Sequence, residues 1–272
     1  MQRRNFITSA GAGAAALAST IATTAAAQSA NAGPRRTFVL VHGAWHGGWC
    51  WVRVADRLRA AGHTVFTPTL TGLGERRHLI SPQINLDTHI SDVVELIDNE
   101  ELQNVVLVGH SYAGIVISGV ADRIAPRLSQ LVYLDSLLLA SGKSIFSDFP
   151  KDVVDARLKA IRETGGGVGA AAALSPTAFG VKDPADVQWV ARRLTPHPVG
   201  TYQQPLLLNA PLGNGLRKTY IECTVEPIAT LEPAKARVRS DPTWKVRTLG
   251  TGHDAMVTAP GPLTDMLIEL AA

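Results

Sequence analysis

Apolar runs alternate along the chain, from residue 36 onward, with segments that have apolar residues at helical spacing. The runs are short and rich in β-branched residues, as buried parallel strands are. They lie at residues 36–42, 63–70, 104–110, 128–136, 219–225 and 244–250. The segments with helical spacing lie at residues 49–62, 86–100, 112–125 and 262–272. Repeated strand–helix–strand units predict an α/β fold, with a mostly parallel sheet of six strands and helices on both faces.

Residues 136–216 interrupt this alternation. A helical pattern at 151–163 is followed by a tract of glycine and alanine at 165–173, and then by a stretch that contains several prolines. A segment of this length is too long for a loop in a compact domain. We therefore predict a helical cap, inserted between a first core segment at 28–135 and a second one at 217–272.

The first 27 residues are typical of an export signal. Arg3 and Arg4 precede an alanine-rich apolar run, which ends in three alanines just before Gln28. This order is typical of a twin-arginine signal peptide with a small-residue cleavage site. A membrane anchor is the alternative, but the run is short and contains serines and threonines, so it makes a poor membrane span. We expect the precursor to bind the twin-arginine export machinery and the mature chain to be periplasmic or secreted.

Charge and cysteine content narrow the choice of partners. The chain has 26 Lys and Arg against 23 Asp and Glu, and two of the arginines lie in the export signal, which leaves 24 basic residues. A nearly neutral mature chain gives no reason to expect nucleic acid or an anionic membrane as a partner. An oxidising compartment would permit one disulfide, but Cys50 and Cys223 both lie in apolar surroundings. We expect two buried free thiols.

The stretch VLVGHSYAGIV, residues 106–116, places a serine between small residues in an otherwise apolar pattern. A nucleophile elbow needs this arrangement, because its serine sits on a strained turn from strand to helix and small neighbours let the backbone bend. The neighbours here are Gly109 and Ala113, and Ala113 departs by one methyl group from the usual G-x-S-x-G motif. Ser111 is therefore a candidate nucleophile, with an ordinary strand-to-helix turn as the alternative.

A serine nucleophile needs a base, and two backbone N–H donors must hold the oxyanion. The candidate base is His253, which follows the sixth predicted strand in LGTGHDAMV. The elbow supplies the N–H of Tyr112, and the loop after the first strand, VHGAWHGGW, supplies the N–H of Ala44. His42 and His46 have the spacing of some metal ligands, but the glycines around them favour a loop and no carboxylate or cysteine lies nearby. We expect no metal site.

The order of an HG loop, a GHSYAG elbow, a cap and a late GHD sequence resembles the α/β-hydrolase superfamily over residues 36–272. FVLVHGAWHGGWCW and YIECTVE are similar to the branch that holds plant methyl esterases and hydroxynitrile lyases. The cap sequences AFGVKDPADVQWVARRLTPHP and GTYQQPL are similar to bacterial esterases of that branch, among them pyrethroid-hydrolase-like carboxylesterases. The resemblance implies an α/β-hydrolase fold and an esterase that needs no cofactor.

The acid that orients the histidine is where this sequence departs from the branch. An aspartate follows the strand before the histidine in those proteins, and the matching position here holds Glu226. Asp135 ends the fourth predicted strand, which is the other place at which α/β hydrolases carry this acid. Asp254, beside the base, points away from it in an extended segment. We prefer Glu226 and keep Asp135 as the alternative.

The resulting hypothesis is a serine carboxylesterase that acts on a small-molecule ester. Ser111 attacks the carbonyl, His253 takes and returns the proton, and Glu226 orients His253. A pocket lined by aromatic residues favours a hydrophobic or aromatic substrate. The residues expected in that pocket are Trp45, His46 and Trp49.

Two other functions are alternatives. A ligand-binding protein can keep a hydrolase triad without turnover, and likeness of fold does not exclude this. A hydroxynitrile lyase is disfavoured by the resemblance. The plant lyases carry threonine after the oxyanion-loop histidine and lysine after the catalytic histidine, where this chain has Gly43 and Asp254.

Overall fold

Six parallel strands form the main sheet of this protein. The computed structural model describes residues 34–147, 149–164 and 169–272. In chain order the strands are β1 (Thr37–Val41), β2 (Thr64–Phe66), β3 (Val105–His110), β4 (Leu128–Leu134), β5 (Ala170–Ala171), β6 (His197–Pro198), β7 (Arg217–Cys223) and β8 (Trp244–Leu249). The sheet has the order β2-β1-β3-β4-β7-β8, and each neighbouring pair in it is parallel. This confirms the predicted α/β fold.

The helices fill the connections between the strands. They are α1 (Val52–Ala60), α2 (Leu86–Asn99), α3 (Ala113–Ile124), α4 (Lys151–Thr164), α5 (Pro184–Ala191), α6 (Gly200–Gln203), α7 (Glu232–Ser240), α8 (Ala255–Thr258) and α9 (Pro260–Ala271). Short 3₁₀-helices lie at Gly48–Trp51, Gly74–Leu79, Ala125–Arg127, Pro176–Phe179 and Ala229–Leu231.

Helices cover both faces of the sheet because successive residues of a strand point to opposite faces. Val39 and Leu107 pack on one face with apolar residues of α2, α3 and α7. Leu40 and Val106 pack on the other face with apolar residues of α1 and α9. Each such buried side chain contributes about 1.5–3 kcal/mol of transfer free energy. The continuous apolar runs in the sequence are therefore strands buried on both sides.

Four helices of the described residues, α5, α6, α7 and α8, were not predicted from the spacing of apolar residues. Helix α7 matters most for the site. Its ends carry ordinary signals: Pro233 and Glu232 lie in the first turn, and Arg237 and Arg239 lie in the last. The segment is short and strongly polar, which hides the apolar stripe on its inner face. The predicted strand at 63–70 is also shorter in the structure, because only Thr64–Phe66 pair with β1.

The described residues between β4 and β7 contribute no strand to the main sheet. Helices α4, α5 and α6 lie there, with the antiparallel pair of β5 and β6. Leu206 of this segment joins the core on one face of the sheet, and Val181 and Val190 join it on the other. The segment coincides with the predicted cap, whose limits at residues 136 and 216 stay a prediction.

The predicted signal peptide, residues 1–27, lies outside the described residues. By its internal contacts, the chain from Arg36 to Ala272 forms one unit. Within the described ranges, every helix is too short or too polar to cross a bilayer.

Candidate active site

Ser111 occupies the sharp turn between β3 and α3. Its φ of 54° lies in the left-handed region, which costs a non-glycine residue about 1–3 kcal/mol and is concentrated at functional sites. The backbone N–H of Ser111 donates to the carbonyl oxygen of Leu134 over 3.1 Å, and its own carbonyl oxygen accepts from Leu137 N–H at 3.0 Å. Ser111 is partly exposed while the residues on either side of it are buried. This is the backbone conformation that a nucleophile elbow requires.

The loop after β4 lies directly against this turn because residue 114 is a glycine. A Cβ atom at Gly114 would lie 2.3 Å from the carbonyl oxygen of Leu137 and 2.7 Å from the Cβ of Ser136. The hydroxyl of Ser136 donates to the carbonyl oxygen of Gly109 over 2.6 Å, on the other side of the turn. The loop that carries Asp135 is therefore joined to the elbow by both packing and hydrogen bonds.

His253 lies in a buried loop after β8, with 4% of its surface exposed. Its carbonyl oxygen accepts a hydrogen bond from Nε2 of His110 at 3.0 Å, and the two imidazole rings are 4.5 Å apart between centroids. His110 immediately precedes Ser111 in the chain. This hydrogen bond therefore brings the histidine loop to the elbow, although the two are far apart in sequence.

Asp135 is the carboxylate that contacts His253. Its Oδ2 accepts from Nδ1 of His253 over 2.7 Å, and its Oδ1 accepts from the backbone N–H of Cys223 at 3.2 Å and from Nζ of Lys235 at 2.7 Å. Burial raises the pKa of Asp135, but the hydrogen bonds and charges of His253 and Lys235 outweigh it and hold the pKa below its usual value. Asp135 is therefore ionised, and its hydrogen bond to Nδ1 leaves Nε2 on the opposite side of the His253 ring.

The preference for Glu226 as the acid is corrected by the structure. The side chain of Glu226 is 54% exposed and pairs with Lys182 at 2.5 Å. The reason is the path of the chain: residues 224–227 after β7 are exposed, whereas Asp135 and Ser136 after β4 are buried beside the elbow. The strand pattern alone does not show which of the two loops turns inward.

His42 orients the loop after β1. Its Nε2 accepts from the backbone N–H of Leu70 at 3.1 Å, so its Nδ1 carries the proton and donates to the carbonyl oxygen of Gly43 at 2.8 Å. In a planar trans peptide the C=O and N–H groups point in opposite directions. With the carbonyl of Gly43 held by His42, the N–H of Ala44 points away from that ring. Within the described ranges, neither the Ala44 N–H nor the Tyr112 N–H has an intramolecular acceptor.

Trp45 ties the same loop to the inserted segment. It has a φ of 64°, and its backbone carbonyl accepts from the N–H of Thr195 at 2.9 Å. Its backbone N–H donates to Nδ1 of His197 over 3.4 Å, and its indole N–H donates to the carbonyl oxygen of Ala171 over 3.2 Å. The loop after β1 is therefore fixed by residues of the predicted cap.

His46 and Asp254 form a buried ion pair between the two loops. The Nδ1 of His46 lies 2.8 Å from the carbonyl oxygen of Ala44, and its Nε2 lies 3.1 Å from Oδ2 of Asp254. Both partners are acceptors, so both ring nitrogens carry protons. Burial lowers the pKa of His46, but the charge and hydrogen bond of Asp254 more than compensate and raise it above its usual value. Only 1% of the surface of His46 is exposed, so this side chain holds two loops together. The prediction that it lines the substrate pocket is corrected.

The profile of the Alpha/beta hydrolase family matches residues 38–265 of this sequence. The chain belongs to this family. Strand order, elbow and histidine loop thus have a common explanation, and the resemblance stated from the sequence is confirmed.

Relatives of this α/β hydrolase include named esterases. A carbendazim hydrolyzing esterase of Nocardioides sp. (strain SG-4G) is 41% identical over 241 residues, which cover 86% of this chain and 98% of that protein. Methylesterase 10 of Arabidopsis thaliana is 26% identical over 255 residues, which cover 86% and 91%. Among solved structures, an extracellular α/β-hydrolase from a Paenibacillus species has a TM-score of 0.72 at 23% identity, covering 86% of this chain and 98% of that one. The last likeness shows the fold.

Two charged side chains of this α/β hydrolase have roles that sequence reasoning missed. Lys235 is buried against Asp135, and the signal for it is its position. Leu231, Ala234 and Val238 form the apolar stripe of the α7 region, and a lysine at the i+4 place of that stripe must bring its charge inside. The second residue is Asp254, which was expected only to point away from His253. Its ion pair with His46 was not predicted, because His46 carried no signal beyond its place in a glycine-rich loop.

The described residues offer no group of three or more His, Cys, Asp or Glu side chains that could hold a metal ion. His42 and His46, the pair with metal-ligand spacing, use all four ring nitrogens in the hydrogen bonds given above. Cys50 and Cys223 are both buried and free, as expected from their apolar surroundings.

The other buried histidines of this hydrolase are neutral. Burial lowers the pKa of His42 and of His110 to about 3 and that of His89 to about 4, and it lowers the pKa of His197 as well. Hydrogen bonding agrees: His89 donates from Nε2 to the carbonyl oxygen of Thr71 and accepts at Nδ1 from the hydroxyl of Tyr112. A neutral imidazole offers one donor and one acceptor of this kind.

We predict that Asp135→Asn lowers kcat on the order of ten-thousand-fold at neutral pH, because an amide beside Nδ1 permits the wrong tautomer of His253. Glu226→Gln is the matched control. It removes a surface ion pair worth at most about 1 kcal/mol and should leave kcat within a factor of about two. Turnover of an aryl ester and the melting temperature, measured on both variants, check this. A collapse of Glu226→Gln alone would restore Glu226 as the acid.

We also predict that stability falls as the pH falls from 6.5 to about 4. The folded pKa values of His42, His89 and His110 lie below the unfolded value of 6.5, so the unfolded chain binds more protons in this window. Each such histidine contributes about 1.4 kcal/mol per pH unit. The raised pKa of His46 has the opposite effect. Its contribution to stability is fully present below pH 6.5 and is lost as the pH rises through the pKa that His46 has in the folded protein.

Urea unfolding at several pH values measures this slope. In His89→Gln, the slope of the unfolding free energy against pH should decrease by the equivalent of one bound proton. A wild-type protein whose stability is constant or rises on acidification through the same window would contradict the burial of neutral histidines.

Proposed function

We propose that this chain is a serine carboxylesterase, with a hydrophobic or aromatic ester as its substrate. The observation that carries the proposal is the hydrogen bond of 2.7 Å between Asp135 and Nδ1 of His253, in a loop that is bonded to the strained turn of Ser111. Nucleophile, base and acid thus belong to three loops at one edge of the sheet. Membership of a family whose relatives include esterases supports hydrolysis of an ester.

The chemistry follows from the roles of these groups. The hydroxyl of Ser111 attacks the ester carbonyl while Nε2 of His253 takes its proton, and Asp135 stabilises the imidazolium that forms. The N–H groups of Ala44 and Tyr112 donate to the oxyanion. The imidazolium then protonates the leaving alcohol, an acyl group remains on Ser111, and water activated by His253 releases it. None of these steps draws on a cofactor.

Aromatic side chains near the loops support the proposed substrate class. Trp45 and Trp49 are partly exposed. The ring of Phe179 lies 5.8 Å from that of Trp45 and 6.1 Å from that of His253, and Trp189 lies 5.1 Å from Trp49. Apolar and aromatic linings with a few polar groups are typical of small-molecule sites. The relative that hydrolyses carbendazim makes that compound a suitable member of a test panel.

We predict that Ser111→Ala abolishes turnover, with a loss of up to about a million-fold. Ser118→Ala is the matched control, because Ser118 is a buried serine of α3 that donates to the carbonyl oxygen of Gly114. The measurement is hydrolysis of aryl and alkyl esters graded in acyl and alcohol size, and of carbendazim, by both variants and the wild type.

Intact-mass analysis of the quenched wild-type reaction should show an acyl group on the peptide that contains Ser111. Ser111→Ala protein with more than about one per cent of wild-type turnover would refute the nucleophile. Tight binding of esters by a wild-type protein that never hydrolyses them would instead favour the ligand-binding alternative.

We further propose that residues 1–27 direct twin-arginine export of this esterase to the periplasm or beyond. The paired Arg3 and Arg4 and the alanines before Gln28 support this. Replacing both arginines by lysine should keep the precursor in the cytoplasm, as fractionation and immunoblotting would show. The N-terminal residue of the exported protein should be Gln28, and exported protein that begins at Met1 would contradict cleavage.

A further inference from the structure

Lys235 of α7 is a buried cation beside the candidate catalytic groups. Only 2% of its surface is exposed, and lysine is almost never buried to this degree without a partner. Its Nζ lies 2.7 Å from Oδ1 of Asp135 and donates to the carbonyl oxygen of Cys223 at 3.2 Å. The cation therefore contacts the acid on the side opposite to the imidazole.

The two oxygens of Asp135 have separate functions. Among the described residues, Oδ2 accepts from His253 alone, while Oδ1 accepts from Lys235 and from the backbone N–H of Cys223. Two donors on Oδ1 prevent rotation of the carboxylate about its Cβ–Cγ bond, so that Oδ2 stays aimed at Nδ1. The residue also has a φ of 42°, which restricts its backbone to a conformation that few residues adopt.

We propose that Lys235 is a positioning residue of the catalytic site, which holds the carboxylate of Asp135 ionised and aimed at His253 while that imidazole gains and loses its proton. This inference rests on the proposed esterase function. The ammonium group of Lys235 balances the negative charge of the Asp135 carboxylate. The lysine therefore offsets the negative charge that would otherwise favour an imidazolium at His253.

The other titratable groups around the triad are either uncharged or paired with each other, so Lys235 is the group that balances the charge of Asp135. Burial lowers the pKa of His110 to about 3 and raises the pKa of the Tyr220 hydroxyl and of the Cys223 thiol, so all three are uncharged at neutral pH. Burial opposes ionisation of Asp254, but the charge and hydrogen bond of His46 lower its pKa. The neighbours named here come from β3, β7, the histidine loop and, through His46, the oxyanion loop.

A purely structural role is the alternative, and α7 offers a matched comparison. Arg239 lies one turn further along the helix and pairs with Glu222 at 2.6 Å. Glu222 is buried, with 4% of its surface exposed. Arg239 bonds to Glu222 and Glu232, whereas the carboxylate hydrogen-bonded to His253 is Asp135. Removal of either cation weakens the anchoring of α7, but only Lys235 contacts the candidate acid.

Lys235→Met is the primary test, with Arg239→Met as its control. For Lys235→Met we expect kcat for an aryl ester to fall at least tenfold, with KM within a factor of about two, because substrate binding does not involve the acid. The acidic limb of the kcat/KM profile should move to higher pH by about one unit, since His253 then sits beside an unbalanced carboxylate. Arg239→Met should keep the wild-type profile.

A readout without turnover separates this inference from the proposed function. In Ser111→Ala protein, an NMR titration of the His253 imidazole should give a higher pKa once Lys235→Met is added. If Lys235→Met does not fold, Lys235→Gln keeps a donor for Oδ1 without the charge, and the same rise is expected. A lower melting temperature with unchanged kcat, pH profile and His253 titration would overturn the inference. An inactive wild type would refute the esterase, and the NMR titration would still decide the role of Lys235.

Discussion

Three donors from different parts of the chain converge on the carboxylate of Asp135, and the geometry of the site depends on that convergence. The N–H of Cys223 is 88 residues away in sequence and Nδ1 of His253 is 118 residues away, while Lys235 belongs to the helix between them. A buried carboxylate without such partners would strongly destabilise the fold. Removing one partner of a buried ion pair costs about 3–5 kcal/mol. The end of β7, helix α7 and the loop after β8 are therefore all held to the end of β4.

Histidine side chains fix the remaining loops in a comparable way. Backbone N–H and C=O groups near an active site cannot all belong to helices or sheets, and when buried they need partners. His42 and His89 each satisfy one donor and one acceptor from neighbouring loops, and both are neutral. His46, which meets two acceptors, is charged. The protonation state of each ring thus follows from what surrounds it, and the shape of the loop after β1 depends on these states.

The sequence was sufficient for the parts of this protein that depend on local pattern. The six strands, the turn at Ser111 and the late loop of His253 are each visible as a run of apolar residues followed by small or polar ones. The sequence was not sufficient to choose between Asp135 and Glu226, because both residues follow a strand and only the path of each loop decides which side chain is buried. Helix α7 was missed because its polar residues, including Lys235, obscure the stripe of Leu231, Ala234 and Val238.

The position of Asp135 has a consequence for how this protein can change during evolution. Because the proposed acid, Asp135, lies in the loop after β4, the proposed mechanism needs no carboxylate of the loop after β7 to face His253. Its residues 224–227 are exposed, and exposed loops tolerate insertions and substitutions well. This rim of the molecule can therefore vary in length and charge while the reacting groups keep their places, which makes it a surface on which selection can act without loss of chemistry.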